Sequence, residues 1–202
     1  MVVQLVGMVL VSTGVAAMIR SEVGVAPYDV VTTGLNERFE IPIGVAAVLL
    51  PFLFAAVGLA LGGRNRIGIG TVLDTLIVGP LLGVVLHVLP EVEAIVPRLG
   101  YYAGGLAVLT IGIVLVIVPD LGAGPAEVLM LAVSDRGYPL ARARTGIELL
   151  CVAAGWLLGG QVGFGTIAFA LLIGPALRRT LTYVGYDDAL ARVRSDTAAP
   201  GA

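Results

Sequence analysis

Acidic side chains interrupt an otherwise apolar sequence at two matched places. Asp29 stands two residues after Pro27, and Glu127 stands two residues after Pro125. Proline is favoured at the first position of a helix, and a carboxylate in the first turn is stabilised by the helix dipole by about 0.3–1 kcal/mol. One interpretation is a pair of helix caps. The alternative is a pair of carboxylates that faces a central cavity and binds a cation or relays protons.

Three further charged residues lie where an apolar helix is expected. An ionised Asp74 at a helix centre costs about 2.5–3.5 kcal/mol on insertion scales, so it should face protein or water, and acids in such places are candidates for function. Arg144 and Glu148 have the spacing of an i,i+4 ion pair, with anion recognition by Arg144 as the alternative. The predicted substrate-binding set is Pro27, Tyr28, Asp29, Asp74, Pro125, Glu127, Arg144 and Glu148.

The composition indicates an integral membrane protein. Of the 202 residues, 58% are hydrophobic and only 13% are charged, whereas soluble domains have about 25% charged residues. Cys151 and His87 are each the sole residue of their type, which excludes an internal disulfide and the common Cys or His metal sites. No nucleophile–base set, cofactor motif or basic nucleic-acid surface is present, so we expect no enzyme, no cofactor and no nucleic-acid partner.

The apolar segments predict an all-α polytopic protein. About 20 apolar residues cross a bilayer as a helix, and six stretches qualify or nearly qualify: about 1–19, 41–63, 67–90, 99–119, 143–160 and 162–184. Two shorter segments, 27–35 and 125–133, follow Gly-rich breaks and are predicted to be re-entrant half-helices. With six crossings and a cytoplasmic N-terminus, nine arginines lie on the cytoplasmic side and three on the outer side. Because arginine is enriched on the cytoplasmic side of membrane proteins, both termini are predicted to be cytoplasmic. Eight crossings give the same ratio, so the charge rule does not choose between six and eight, and segment length favours six.

Two blocks of sequence recur at fixed spacing. Glu22-Val-Gly24-Val-Ala-Pro27-Tyr-Asp29-Val30 returns 98 residues later as Asp120-Leu-Gly122-Ala-Gly-Pro125-Ala-Glu127-Val128, and Gly68-Ile-Gly70-Thr71 returns 95 residues later as Gly163-Phe-Gly165-Thr166. We interpret the glycines of these blocks as structural. The pattern predicts two three-span repeats, 1–90 and 99–184, followed by a polar cytoplasmic tail, 185–202. An odd number of spans inverts the second repeat relative to the first, as in many secondary transporters.

The motifs G-x-x-P-x-D-V, G-x-G-T and E-L-L-x-x-x-x-G-W-L-L-G-G resemble those of the YczE/YyaS/YitT-type bacterial integral membrane proteins. The resemblance covers roughly residues 5–180, and Tyr28 stands where such proteins often carry Trp. It implies a multi-pass protein of the bacterial inner membrane and no defined chemistry. The leading hypothesis is therefore secondary transport of a small solute or ion from a site between the repeats. A non-transporting membrane regulator or scaffold is the alternative, and homo-oligomerisation stays open.

Overall fold

The computed structural model describes residues 1–185, apart from the side chains of residues 65, 66 and 141. These residues form helices and no strand. The α-helices are α1 (Val2–Ser21), α2 (Pro27–Phe39), α3 (Ile43–Ala60), α4 (Ile69–Val88), α5 (Ile95–Ile117), α6 (Pro125–Ser134), α7 (Leu140–Leu157) and α8 (Phe164–Tyr183), with a 3-10 turn at Gly63–Arg66. The predicted polar tail, 185–202, lies outside the described residues apart from Gly185.

Five of the described helices are long and apolar enough to cross a membrane: α1, α3, α4, α5 and α8. The sixth stretch predicted to cross corresponds to α7. That helix has 18 residues but includes Arg142, Arg144 and Glu148, so its crossing stays a prediction. The two short helices begin at Pro27 and Pro125, as the sequence predicts.

The predicted boundaries of several helices were wrong by a few residues. The largest differences are in α2, which continues to Phe39 instead of ending near Leu35, and in α5, which begins at Ile95 instead of residue 99. Proline in the first turn of a helix removes no required N–H group, so Pro97 does not prevent α5 from starting early. With 13 and 10 residues, α2 and α6 are still too short to cross a bilayer.

The centre of the bundle is an antiparallel pair of helices, α1 and α5. Gly7 of α1 lies against Gly112 of α5, and Gly14 lies against Gly105 further along. A β-carbon at Gly14 would lie 2.7 Å from the carbonyl oxygen of Gly105, so the two backbones approach too closely for side chains between them. Small residues permit this kind of close helix packing in membranes.

The remaining long helices pack around this pair. Two hydrogen bonds show that α4 runs parallel to α1. Ser12 Oγ donates to the Val78 carbonyl at 3.1 Å, and eight residues further along both helices Arg20 Nη2 donates to the Leu86 carbonyl at 2.6 Å. α8 packs on α5, α3 packs on α4, and α7 packs on α2. We call the two ends of the bundle the α1-start end and the α1-finish end, after the ends of α1 that lie there.

The short helices begin inside the bundle and leave it at opposite ends. Tyr28 in the first turn of α2 packs edge-to-face on Phe54, with ring centroids 5.4 Å apart. Phe54 lies about 16 Å along α3 at 1.5 Å per residue, so α2 starts at mid-depth and runs to the α1-finish end. α6 lies parallel to α3, with Val128 against Gly58 and Ala132 against Gly63, and therefore runs to the α1-start end.

Adjacent glycines on α5 test the central packing. A β-carbon at Gly105 would meet Gly14 O at 2.8 Å and Met18 Cγ at 3.0 Å, whereas one at Gly104 meets nothing within 4 Å. We expect Gly105→Ala to destabilise the detergent-purified protein by about 1–3 kcal/mol through overpacking. Gly104→Ala should be neutral or stabilising by up to about 1 kcal/mol, because alanine is the better helix former. Equal melting temperatures for the two variants would contradict the packing.

Candidate functional site

The chain breaks in the same way before each short helix. Glu22, at the C-cap of α1, and Asp120, three residues after the end of α5, have left-handed φ values of 52° and 48°. Gly24 and Gly122 follow with φ values of 132° and 121°, a backbone conformation that strongly favours glycine. The segments 22–26 and 120–124 thus carry the chain from the end of a long helix into the bundle, where α2 and α6 begin.

Each break packs on the first turn of a long helix from the other half of the chain. The Gly165 N–H of α8 donates to the Val23 carbonyl at 2.9 Å, and the Gly70 N–H of α4 donates to the Leu121 carbonyl at 2.8 Å. A β-carbon at Gly163 would collide with Val23 O, and one at Gly68 would collide with Leu121 O. The glycines of the recurring sequence blocks thus permit two equivalent backbone contacts.

Threonines complete these first turns. Thr71 Oγ1 accepts from the Gly68 N–H at 3.1 Å and donates to the Ala123 carbonyl at 2.5 Å. Thr166 Oγ1 accepts from the Gly163 N–H at 3.4 Å. Helix N-termini leave N–H groups without intrahelical partners, and these hydroxyls supply an acceptor for each N-cap.

Five polar side chains lie within electrostatic range of at least one other member of the set, near the starts of the short helices, and we call them the polar cluster: Tyr28, Asp74, Glu127, Arg144 and Glu148. The Tyr28 hydroxyl lies within electrostatic range of Glu127, Arg144 and Glu148, and Asp74 lies within range of Glu127. Arg144 Nε donates to Glu148 Oε1 at 2.8 Å. The cluster draws residues from α2, α4, α6 and α7, so four helices position it.

The polar cluster does not include every residue predicted for the site. Pro27 and Pro125 are buried at the first positions of their helices and offer no polar atom. Asp29 is half-buried, and no charged side chain of the described residues acts on its carboxylate. The structure shows no interaction between the Asp29 and Glu127 carboxylates among the described residues. In the first turn of α2 it is Tyr28, and not Asp29, that lies within electrostatic range of Glu127.

Two features limit the chemistry of the polar cluster. The Glu127 carboxylate folds back over Gly124, the residue at the N-cap of α6, which is the position that a helix cap takes. The Tyr28 hydroxyl oxygen is buried and has no hydrogen-bond partner within the described residues. No group of three or more His, Cys, Asp or Glu side chains in residues 1–185 has the geometry of a metal site.

A second region, which the sequence did not predict, is a mainly apolar cavity of about 1250 Å³ at the α1-finish end, with charged residues in its wall. Arg20 lies in its wall and pairs with Glu91 at 2.6 Å. Glu22, at its edge, pairs with Arg98 at 2.6 Å. We call it the Arg20 cavity. Its other lining residues come from α2, α3, α4 and the α7–α8 loop, among them Asn36, Gly44, Val48, Gly83, His87 and Gln161.

These features define a helical membrane protein with two broken-helix elements that meet at a polar cluster. The chain belongs to a family of unknown function, DUF6198, whose family model matches residues 1–181. It is 29% identical over 184 residues to the uncharacterized membrane protein YczE of Bacillus subtilis, which covers 87% of this chain and 82% of that protein.

Two further relatives have no assigned activity. An uncharacterized protein of Haemophilus influenzae is 27% identical over 176 residues, covering 87% of this chain and 80% of that protein. The uncharacterized protein YyaS of Bacillus subtilis is 22% identical over 176 residues, covering 85% and 87%. No solved structure matches this chain. The resemblance to YczE- and YyaS-type membrane proteins is thereby confirmed.

Two tyrosines provide a matched test of the polar cluster. Tyr102 donates its hydroxyl to the Gly165 carbonyl at 2.5 Å, whereas the Tyr28 hydroxyl has no such partner within the described residues. We expect Tyr102→Phe to lower the stability by about 0.5–1.5 kcal/mol, the usual loss for a hydrogen bond. Tyr28→Phe should leave the melting temperature unchanged or raise it. A clear destabilisation by Tyr28→Phe would mean that its hydroxyl supports the fold.

Proposed function

We propose that this protein is a secondary transporter of a small solute or ion and that the polar cluster is its binding site. The observation that carries the proposal is that Tyr28, from the first turn of α2, and Glu127, from the first turn of α6, lie within electrostatic range of each other. In secondary transporters, broken helices meet near the middle of the membrane and present their ends to the substrate. No ATP-binding motif occurs in the sequence, so transport would be driven by a gradient or by a separate subunit.

The proposal places the two halves of the chain in opposite orientations across the membrane. α7 then crosses as the sixth span. Arg142 and Arg144 lie near its cytoplasmic end, and Glu148, one turn further into the membrane, pairs with Arg144. Charged residues within spans usually face a protein interior or a water-filled cavity and pair there, as Arg144 and Glu148 do at 2.8 Å. The excess of arginine at the α1-start end supports a cytoplasmic location for that end.

The charge of the polar cluster favours a cationic ligand or protons. Asp74, Glu127 and Glu148 contribute three carboxylates against the single guanidinium of Arg144. The N-terminal ends of α2 and α6 contribute partial positive charge, but Glu127 already lies over the N-cap of α6. A ligand that brings positive charge would therefore offset the repulsion among the carboxylates.

Thermal stability of the purified protein against a library of metabolites and ions, at two pH values, tests this function. A ligand that binds only the folded state raises its stability by mass action. We expect at least one compound to raise the melting temperature of the wild type, and we expect Asp74→Asn with Glu127→Gln to abolish that shift. The same compound should then enter protein-containing liposomes along an imposed ion or pH gradient.

Two control variants make the result specific. Glu93→Gln removes an exposed carboxylate between α4 and α5 and should retain the full ligand shift. Asp29→Asn changes a carboxylate outside the polar cluster and should retain it as well, which separates the cluster from the Asp29–Glu127 pair predicted from sequence. If no compound shifts the wild type, or all variants shift equally, the transport proposal is wrong and a membrane regulator that binds a partner protein becomes the better hypothesis.

A further inference from the structure

Helix contacts in the two halves of the chain correspond among the described residues, apart from a slight contact of α4 with α6 and one large exception. α1 packs on α4 as α5 packs on α8, and α2 packs on α7 as α6 packs on α3. α2 also packs on α3 as α6 packs on α7. The exception is the pair α3 and α4, which pack closely, while α7 and α8 make no comparable contact. The last two helices are joined by the loop 158–163 at the α1-finish end, so they diverge toward the α1-start end.

Glycines close the contact between α3 and α4. A β-carbon at Gly79 would lie 2.6 Å from the Gly44 carbonyl oxygen and 2.5 Å from Val48 Cγ2. One at Gly44 would lie 2.8 Å from the Gly79 carbonyl oxygen. The contact borders the Arg20 cavity, since Gly44 and Val48 also line that cavity. Asp74 of the polar cluster lies five residues before Gly79 on α4, about 7.5 Å along the helix, so along α4 the contact lies between the polar cluster and the cavity.

The equivalent position on α8 is a glycine without a packing role. Gly70 corresponds to Gly165, 95 residues later, and the same offset relates Gly79-Pro80 to Gly174-Pro175. A β-carbon at Gly174 would meet nothing within 4 Å. Glycine within a helix costs about 0.5–1 kcal/mol relative to alanine. Gly174 is explained if α8 approaches α7 in a second conformation as α4 approaches α3 in this one.

The gap between α7 and α8 lies beside the polar cluster. Gly58 and Gly155 make equivalent contacts with Val128 and Val30, which sets an offset of 97 residues between α3 and α7. Ala47 of α3 packs against Gly79 of α4: its carbonyl carbon lies 3.1 Å from the position that a β-carbon of Gly79 would take. With the offset of 97 residues, the residue of α7 that corresponds to Ala47 is Arg144. The Arg144 side chain is 47% exposed, because no described helix covers it where α4 covers Ala47.

We propose that the gap between α7 and α8 is the route from the α1-start end to the polar cluster, and that it alternates with the Arg20 cavity as the route to the same site. In the second conformation α8 closes on α7 at Gly174, while α4 parts from α3 at Gly79 and opens the cavity inward. This inference rests on the proposed function for the identity of the site. The coupled motion itself requires no knowledge of the ligand.

Distance measurements between spin labels test the coupling, in a Cys151→Ala background reconstituted in lipid nanodiscs. One pair, Arg142→Cys with Arg179→Cys, spans the gap. The other pair, Val45→Cys with Val84→Cys, occupies the equivalent exposed positions at the Arg20 cavity. Gly79→Ala weakens the α3–α4 contact, so it should lengthen the Val45–Val84 distance and add a shorter Arg142–Arg179 population.

Matched substitutions decide the result. The added methyl of Gly174→Ala meets no atom in the present conformation but would obstruct a closed gap between α7 and α8. Added to the Gly79→Ala protein, Gly174→Ala should therefore remove the shorter Arg142–Arg179 population. The melting temperature of that protein should be unchanged or higher. Should Gly79→Ala fail to fold, Arg144→Ala with Glu148→Ala supplies the second driver. It gives α7 the small residue that α3 has at Ala47, and it should shorten the Arg142–Arg179 distance and lengthen the Val45–Val84 distance.

The proposal is overturned if the Arg142–Arg179 distances are the same in all folded variants, or if they change while the Val45–Val84 distances do not. Either result would make the two helix pairs independent. The distances answer this question whatever the ligand library gives. If a ligand acts at the polar cluster but the two distances do not change together, the binding site is supported and the alternating routes are contradicted. If the two distances change together but no ligand is found, the coupled motion is supported and the binding site is contradicted.

Discussion

The close contact between each chain break and the first turn of a distant helix is the constraint on which the architecture depends. Backbone N–H and C=O groups in a membrane interior need partners within the protein, and the breaks at 22–26 and 120–124 leave helical hydrogen bonding. The Gly165 N–H bonds the Val23 carbonyl, and the Gly70 N–H bonds the Leu121 carbonyl. Glycine at these positions lets the backbones meet, so the chain can enter the bundle and start a helix at mid-depth.

This constraint explains why polar side chains gather in an apolar bundle. A helix that begins inside the protein brings its first-turn residues to that depth of the bundle. In this chain Tyr28 is partly buried there, whereas Glu127 is exposed. Neighbouring long helices then contribute Asp74, Arg144 and Glu148, which would be costly in lipid. The buried Tyr28 hydroxyl, with no partner in the described residues, adds to the cost. The polar cluster is thus only partly withdrawn from the surface: Tyr28, Asp74 and Glu148 are partly buried, and Glu127 and Arg144 are exposed.

The sequence predicted those features that depend on local physical chemistry. Proline fixed the starts of α2 and α6, and the lengths of the apolar runs located the helices. The predicted end of α2 was too early, because the apolar segment stops at Leu35 whereas Asn36, Glu37 and Arg38 continue the helix to Phe39. Five of the eight predicted site residues lie in the polar cluster. Four of them are charged residues in apolar helices, where exposure to lipid would be costly.

Features that depend on the rotation of helices could not be predicted. Tyr28 and Asp29 are neighbours, but successive helical residues point about 100° apart, so only one of them faces Glu127, and sequence spacing does not say which. The Arg20 cavity was missed for a related reason. Its lining comes from five separate segments, and each of its charged residues alone resembles an ordinary surface residue at the end of a helix.

The difference between the two halves of the chain follows from a few side chains. Where α3 has Ala47 and α4 has Gly83, the equivalent positions on α7 and α8 hold Arg144 and Arg178. Small residues allow α3 and α4 to touch. The two arginines add bulk and like charge between α7 and α8, which favours separation of these helices unless a counter-charge or a ligand lies between them. Glu148 supplies one such counter-charge at 2.8 Å from Arg144. An approach of α8 to α7 would therefore depend on the charge state and occupancy of the polar cluster, which couples the proposed motion to the proposed site.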